Sequence, residues 1–452
     1  MGARHGILES RVIGILRGQR VKGGLASVVN VGHASTMTAS GGSGDGHRRE
    51  ADSTPSRDVV ICAPWWRPMP PIRDGAPEWV IEHTVRRLVS LRPVVLSPWH
   101  PALEEITFDE HVYRHVRPDV VGGAAAHLPY RFRKRLFGTG DPKGVAYIHG
   151  LTRHLRTLRP HIVIAHAIPR LAIEIRRALP TARLVYYDHT NLLKDMSQRE
   201  WIELVGSIDC LITVCETALH SVVDVHGPLA VPARAILNGV DLDDFSPRGM
   251  ESQTAVRMRL GLGDGPVVVY CGRLTPRKGV EQLLDAFSRV RREIQDAQLL
   301  IVGAATHMST DLGDYGEGLV RLATICGENA VRFAGYVPST ALSEILSAAD
   351  VGVLPSVAEE GLPLAILEFA ASGLPVLATD VGGAREVIRD DVEGYVLSRA
   401  NLTSSLYDRL LAVMGDASLR KRLGESARAR VEANFSWNRV AQEFEETVWD
   451  LM

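Results

Sequence analysis

Two glutamates, Glu360 and Glu368, stand with seven residues between them, and a glycine turn, Glu360-Gly361-Leu362-Pro363-Leu364, leads from the first toward the second. The flanking residues say where they sit. Val351–Leu354 reads as a short buried strand and Pro363 as a first-turn helix residue. Gly373 followed by Pro375 stops that helix before another buried strand at Val376. In an open parallel sheet, ligands bind beyond the carboxyl ends of the strands, where this turn must lie. A helix N-terminus there offers free amides and the positive end of a dipole to an anion. Carboxylates for hydroxyl groups beside a cradle for phosphate suit a ligand such as a nucleotide sugar.

A second stretch supplies the cations. Gly272-Arg-Leu-Thr-Pro-Arg-Lys-Gly279 lies between the apolar strand Val267–Tyr270 and a helix whose inward face is Val280, Leu283, Leu284, Phe287 and Val290. Arg273 can make a forked contact to phosphate and Lys278 a point-charge contact, while Gly272 and Gly279 let the backbone come close. A third group is His189, which follows a strand in Tyr186-Tyr-Asp-His-Thr-Asn191. A histidine after a strand is by itself more often structural than functional. The pair Asp241 and Asp243 spells a metal-binding Asp-x-Asp, but it precedes a linker instead of ending a central strand. We read that spelling as coincidence.

The segment from Glu360 to Glu368 resembles the Glu-x7-Glu signature of glycosyltransferase family four, retaining enzymes with the GT-B fold. That fold has two Rossmann-like α/β domains whose parallel sheets face a central cleft. Gly272–Gly279 is similar to the family's diphosphate clamp, and Gly335-Tyr336-Val337-Pro338 to the loop whose backbone meets the nucleobase. Gly382–Glu386 is similar to a turn near the donor, and Leu237–Pro247 to the interdomain segment. Phe435-Ser-Trp437 resembles the start of the segment that crosses back onto the first domain. The likeness runs from Asp58 to Trp437 and is densest from Val267 to Val396.

The resemblance implies transfer of a hexosyl unit from a nucleotide-diphosphate sugar, with retention, to a hydroxyl of a glycan, lipid or small-molecule acceptor. Cell-envelope or polysaccharide synthesis is the setting it implies. The implied catalytic set is His189, Glu360, Arg273 and Lys278. Within it, Arg273 and Lys278 hold the diphosphate, Glu360 meets the sugar hydroxyls and His189 lines the acceptor side. Glu368 would bind the ribose. Gly75, Gly272, Tyr336, Val337, Gly361, Leu362, Pro363 and Leu364 complete the implied donor site. No cofactor and no metal are implied beyond the donor itself. The family usually carries Gly-Gly-x-Glu in the first domain. This chain keeps Gly75 and Glu78 but has Ala76, which tolerates positive φ poorly and leaves the turn geometry open.

The elements needed to position these groups follow an alternating pattern. In the first half, strands are predicted at Val59–Ala63, Val94–Leu96, His161–Ala165, Arg183–Tyr187 and Cys210–Val214, with helical patterns between most of them. The first of those helices should present Ile81, Val85, Leu88 and Val89 on one face. In the second half, strands are predicted at Leu299–Val302, Val331–Ala334, Val351–Leu354, Val376–Ala378 and Gly394–Leu397. The expected organisation is an acceptor-side domain over 58–248, a donor domain over 249–435 and a returning helix over 436–452. Residues 1–57 begin Arg-rich and run into Ser-Gly-Gly-Ser-Gly, a linker composition. They read as a disordered extension, with a transit peptide or an upstream start before Met37 as the alternatives.

Composition excludes several classes. A chain of 452 residues with a formal net charge of −2 has no bulk basic surface for nucleic acid. No apolar run approaches the ~20 residues of a membrane span. The five cysteines are scattered, without zinc or disulfide spacing, as in a reduced cytoplasmic protein. Tyr130-Arg-Phe-Arg-Lys-Arg-Leu-Phe137 mixes basic and apolar residues. It fits either a solvated helix with snorkelling arginines or a peripheral contact with an anionic membrane or lipid-linked acceptor. Nothing in the pattern fixes the oligomeric state. Two rival functions use the same architecture: a non-catalytic coat or envelope protein, and an epimerase or phosphorylase.

Overall fold

The computed structural model describes residues 58–72, 75–117, 120–137, 141–305 and 312–452. The expectations for residues 1–57 lie outside them. Two parallel sheets organise the rest. The first contains β1 (Val59–Cys62), β2 (Val94–Pro98), β3 (Tyr113–Val116), β4 (Ile162–His166), β5 (Arg183–Asp188), β6 (Cys210–Thr213) and β7 (Ala233–Ala235), in the order β3-β2-β1-β4-β5-β6-β7. The second contains β8 (Val267–Cys271), β9 (Gln298–Val302), β10 (Val331–Gly335), β11 (Val351–Leu354), β12 (Val376–Thr379) and β13 (Gly394–Leu397), in the order β10-β9-β8-β11-β12-β13.

Both sheets are doubly wound, and their strand order reverses beside β1 and β8. Helices cover both faces, so the central strands are buried along their whole length and read as continuous Val, Ile and Leu runs. Strands of this composition need few polar contacts to hold register. The pairing of Val351–Val353 with Val268–Tyr270 alone sets the loop after β8 next to the loop after β11.

The helix carrying Glu368 shows how local sequence fixes one element. It spans Leu364–Ala371, with Pro363 extended at the N-cap and not, as expected, inside the first turn. Ile366, Leu367, Phe369 and Ala370 face the core. Gly352 on β11 makes room for it, since a β-carbon there would lie 2.4 Å from Phe369 Cγ. The helix ends in a Schellman arrangement: the amides of Gly373 and Leu374 donate to the carbonyls of Ala370 and Phe369, with Gly373 at φ 75°. Glu368 is therefore only the fifth helical residue, about one turn in.

The helix Ala76–Val85 departs further from expectation. Its buried residues are Glu78, Val80, Ile81, Glu82 and Thr84, and Val89 is 80% exposed. The chain leaves the helix at Arg86 because Glu445 takes the amides of Val89, Ser90 and Leu91 at 2.7–2.9 Å. Glu445 belongs to the helix Trp437–Trp449, which returns to the first sheet, and Trp437 stacks on His83 with ring centroids 4.8 Å apart. All five cysteines are free, and all but Cys271 are buried.

Candidate active site

The loops after β8 and β11 leave the second sheet at its switch point, where the strand order reverses and a crevice opens. Their facing is built into the backbone. Gly279 sits at φ 68° with its α-carbon pressed on the loop after β11, where a β-carbon would lie 1.9 Å from the Pro355 carbonyl oxygen. The Arg277 carbonyl accepts from the amides of Val357 and Ala358 at 2.9 and 3.3 Å. Stitched this way, the two loops bring Lys278 Nζ within 2.5 Å of Glu360 Oε1. The same oxygen accepts from the Ser356 hydroxyl at 2.8 Å, and Ser356 is fully buried.

Arg273 is exposed on the same loop as Lys278, with its carbonyl engaged by the Tyr270 hydroxyl at 2.8 Å. The first-turn amides of Leu364 and Ala365 have no acceptor among the described residues. Arg273 and Lys278 thus share the loop after β8, and the Leu364 helix starts from the loop after β11, an arrangement suited to an anion. Tyr336 and Val337 are half-buried just beyond β10, at the far edge of this sheet. Glu368 is half-buried on the helix behind Leu364.

The first sheet delivers His189 to the same crevice from the opposite side. Gly361 touches that loop so closely that a β-carbon would meet the His189 carbonyl oxygen at 2.6 Å. His189 is one of a pair: its Nε2 lies 2.8 Å from Nδ1 of His166, the last residue of β4, and both rings stack near Tyr187. Burial lowers both imidazoles, His189 to about 3 and His166 well below the usual range, so both are neutral near pH 7. Neighbouring Asp188 goes the other way. Burial raises it to about 7 against hydrogen bonds from Thr190 and Tyr186.

Gly75 departs from the expected turn. It is extended, at φ −163°, and needs no left-handed conformation, so Ala76 is accommodated as the first helical residue. Glycine is required for space instead: a β-carbon would lie 2.0 Å from Glu78 Oε2. Glu78 is fully buried, and burial raises its pKa against the opposing charge of Arg67.

Asp241 is occupied by fold contacts. It pairs with Arg87 at 2.7 Å and accepts from the amides of Asp243 and Asp244. The helix Tyr130–Phe137 forms, with Tyr130 61% and Phe132 44% exposed.

Three contacts between the two halves escaped the sequence reading. Glu359 ties the two halves together, accepting from Asn191 Nδ2 at 3.1 Å and pairing with Lys194 at 3.3 Å and Arg399 at 2.9 Å. Its only signal was adjacency to Glu360. Glu386, in the Gly382–Glu386 turn, caps the helix Glu216–His226 of the first half through the amides of Glu216 and Thr217. Asn238 donates to the Leu362 carbonyl at 2.8 Å, fixing the glycine turn from the interdomain segment.

Comparisons with known proteins bear on the fold and on the class of enzyme. Residues 253–430 match the family described as Glycosyl transferases group 1. The chain is similar to a putative glycosyltransferase, YtcC, of Bacillus subtilis, at 25% identity over 72% of this chain and 84% of the relative. A GDP-mannose-dependent monoacylated alpha-(1-6)-phosphatidylinositol monomannoside mannosyltransferase of Corynebacterium glutamicum is 36% identical, over 44% of this chain and 51% of the relative. Among solved structures, the sucrose-phosphate synthase of Thermosynechococcus elongatus superposes with a TM-score of 0.70 at 20% identity, covering 87% of this chain and 98% of that one. Anabaena HepE in complex with UDP and glucose gives 0.68 at 19%, covering 86% and 99%. The fold is GT-B, and the chain is a glycosyltransferase. Its second sheet lies within a glycosyl transferases group 1 domain.

Proposed function

We propose that this glycosyltransferase belongs to family four and moves a hexosyl unit from a nucleotide-diphosphate sugar, with retention, to a hydroxyl of a glycan, lipid or small-molecule acceptor. The observation that carries this reading is the Lys278–Glu360 pair formed where the stitched loops after β8 and β11 leave the switch point of the second sheet. Relatives support the donor class: HepE is described with UDP-glucose, and the mannosyltransferase as GDP-mannose-dependent.

Chemistry assigns the residues. As the glycosidic bond to the diphosphate breaks, negative charge grows on the departing oxygens and positive charge on the sugar. Arg273, Lys278 and the helix amides meet the first, where one preorganised contact is worth about 3 kcal/mol. Glu360 meets the sugar hydroxyls, Glu368 the ribose, and Gly335–Val337 the nucleobase. His189 lines the acceptor side as a neutral ring. The half spanning 58–248 takes the acceptor and 249–435 the donor.

No helix among the described residues is long and apolar enough to cross a membrane. We place the enzyme in the cytoplasm, with the exposed Tyr130, Arg131 and Phe132 touching the inner membrane face. Cell-envelope or polysaccharide synthesis is the corresponding role. The test is a thermal-shift screen of UDP- and GDP-sugars, followed by NMR of the product anomer with the stabilising donor. An α-linked product from an α-linked donor is expected. Inversion, or sugar epimerisation without transfer, overturns the reading.

A further inference from the structure

Lys278 serves one anion in the structure, while its place in the crevice suits a second. Its Nζ sits on Glu360 Oε1 at 2.5 Å, and both side chains are largely buried, with 15% and 19% of their surface exposed. The backbone on either side is fixed by Gly279 against Pro355 and by the Arg277 carbonyl against Val357 and Ala358. The lysine stem is thus the mobile part, with several rotatable bonds ending in a point charge. Glu360 has a second anchor that does not depend on Lys278. The buried Ser356 hydroxyl donates to the same Oε1 at 2.8 Å.

Resting on the nucleotide-sugar reading, we propose that Lys278 is handed over from Glu360 to the diphosphate when the donor binds, and that Ser356 is the positioning residue that keeps Glu360 in place afterwards. A diphosphate carries more negative charge than one carboxylate and draws the ammonium away. Before the handover Glu360 is neutralised. After it, Glu360 presents an uncompensated negative charge beside the sugar, where positive charge develops during transfer. Donor binding itself thereby switches on the electrostatic stabilisation of the reacting carbon, and the leaving group gains its cation in the same movement. Free Glu360 is an anion near the diphosphate and opposes its binding, so the pair is poised between two uses of one lysine.

The handover makes a prediction opposite to that for a residue that merely helps to bind the donor. UDP and GDP are titrated calorimetrically into the full chain and into Glu360→Gln, Lys278→Ala and the double variant, with melting temperatures confirming folding. Glu360→Gln should bind the nucleotide diphosphate roughly fivefold more tightly, because Lys278 is no longer shared. That gain should vanish in the Lys278→Ala background. Tightening of equal size in both backgrounds would mean general charge repulsion and overturn the handover, as would no tightening or a loss. Glu360→Asp is a second probe if Gln misfolds. It keeps the charge but is one methylene too short for both Ser356 and Lys278, so it should tighten binding as well, and an unchanged affinity counts against the proposal.

For Ser356→Ala, the donor KM should stay within about twofold while turnover falls roughly tenfold, with Ser356→Thr restoring it by supplying the hydroxyl. A parallel loss of nucleotide affinity, or failure of Thr to rescue a folded enzyme, would make Ser356 merely structural. Should neither UDP nor GDP bind the unmodified chain, the nucleotide-sugar reading itself falls, an outcome distinct from failure of the handover alone.

Discussion

The His166–His189 pair predicts a specific sensitivity to acid. Its imidazoles share one hydrogen bond in a buried site, and burial holds His189 at about 3 and His166 well below the normal range. In the unfolded chain both titrate at the ordinary 6.5. Below that pH the unfolded state takes up protons that the native pair refuses, so stability is present above 6.5 and lost as pH falls. Between pH 7 and pH 5 His189 should cost about 2 kcal/mol, and His166 adds a loss of the same sign. His83, lowered to about 4 by burial and by Arg87, adds a loss of the same sign. Asp188 opposes it. Its native pKa is raised to about 7, so the native state binds a proton first and regains stability as pH falls through 7.

A difference measurement removes these other groups. Urea unfolding at pH 7 and pH 5 is compared for the wild type and for His166→Asn with His189→Asn. The double variant should lose at least about 2 kcal/mol less over that interval, and each single variant should lose less than the wild type. Equal pH dependence in all four proteins would refute the burial argument for this pair. A wild type that gains stability toward pH 5 relative to the double variant would refute its sign.

Other outcomes follow from the site and its supports. His189→Ala should reduce turnover far more than donor affinity, measured by steady-state kinetics beside calorimetry; unchanged turnover would return the ring to a purely structural role. Glu368→Gln should weaken binding of UDP or GDP, and an unchanged dissociation constant would remove it from the ribose site. Activity should survive a chelator, since Arg273 and Lys278 offset the diphosphate charge, and a loss restored by manganese would contradict this. Glu445→Ala should lower stability by about 1–3 kcal/mol in chemical denaturation, because three amides at Val89–Leu91 lose their common acceptor.

The sheets were legible wherever strands are buried on both faces. Val267–Tyr270 and Val351–Leu354 are unbroken apolar runs, and an apolar run in that alternation has little else to be. β3 escaped because Tyr113-Arg-His-Val116 lies at a sheet edge with half-exposed centre residues, so its pattern is short and mixed. β7 is three half-buried residues at the other edge. Val89 misled for a different reason. Its position fits the helical period, yet Glu445, more than three hundred residues later, captures the amides that would have continued the turn.

At the site, the residue types identified the crevice but not its wiring. Glycines that allow close approach leave a mark in sequence, as at Gly279. The Lys278–Glu360 pair and the Glu359 clasp do not, because they depend on how two loops from neighbouring strands face each other. His166 was silent for the same reason: only its register beside Tyr187 makes it a partner of His189.

The returning helix has a consequence for how the chain is made. Residues 437–449 supply Glu445 to the amides after the first helix, Trp437 to His83 and Thr447 to Arg234 at the edge of the first sheet. A ribosome delivers those groups after every strand of both sheets has emerged. The first half therefore waits, its edge unfinished, through the synthesis of the second. A chain stalled before residue 437 holds two sheets but no seam across the back of the first, and quality-control proteases would meet it there. Changes within residues 437–449 therefore act on the first half, at Val89 and His83, rather than on the domain that precedes them.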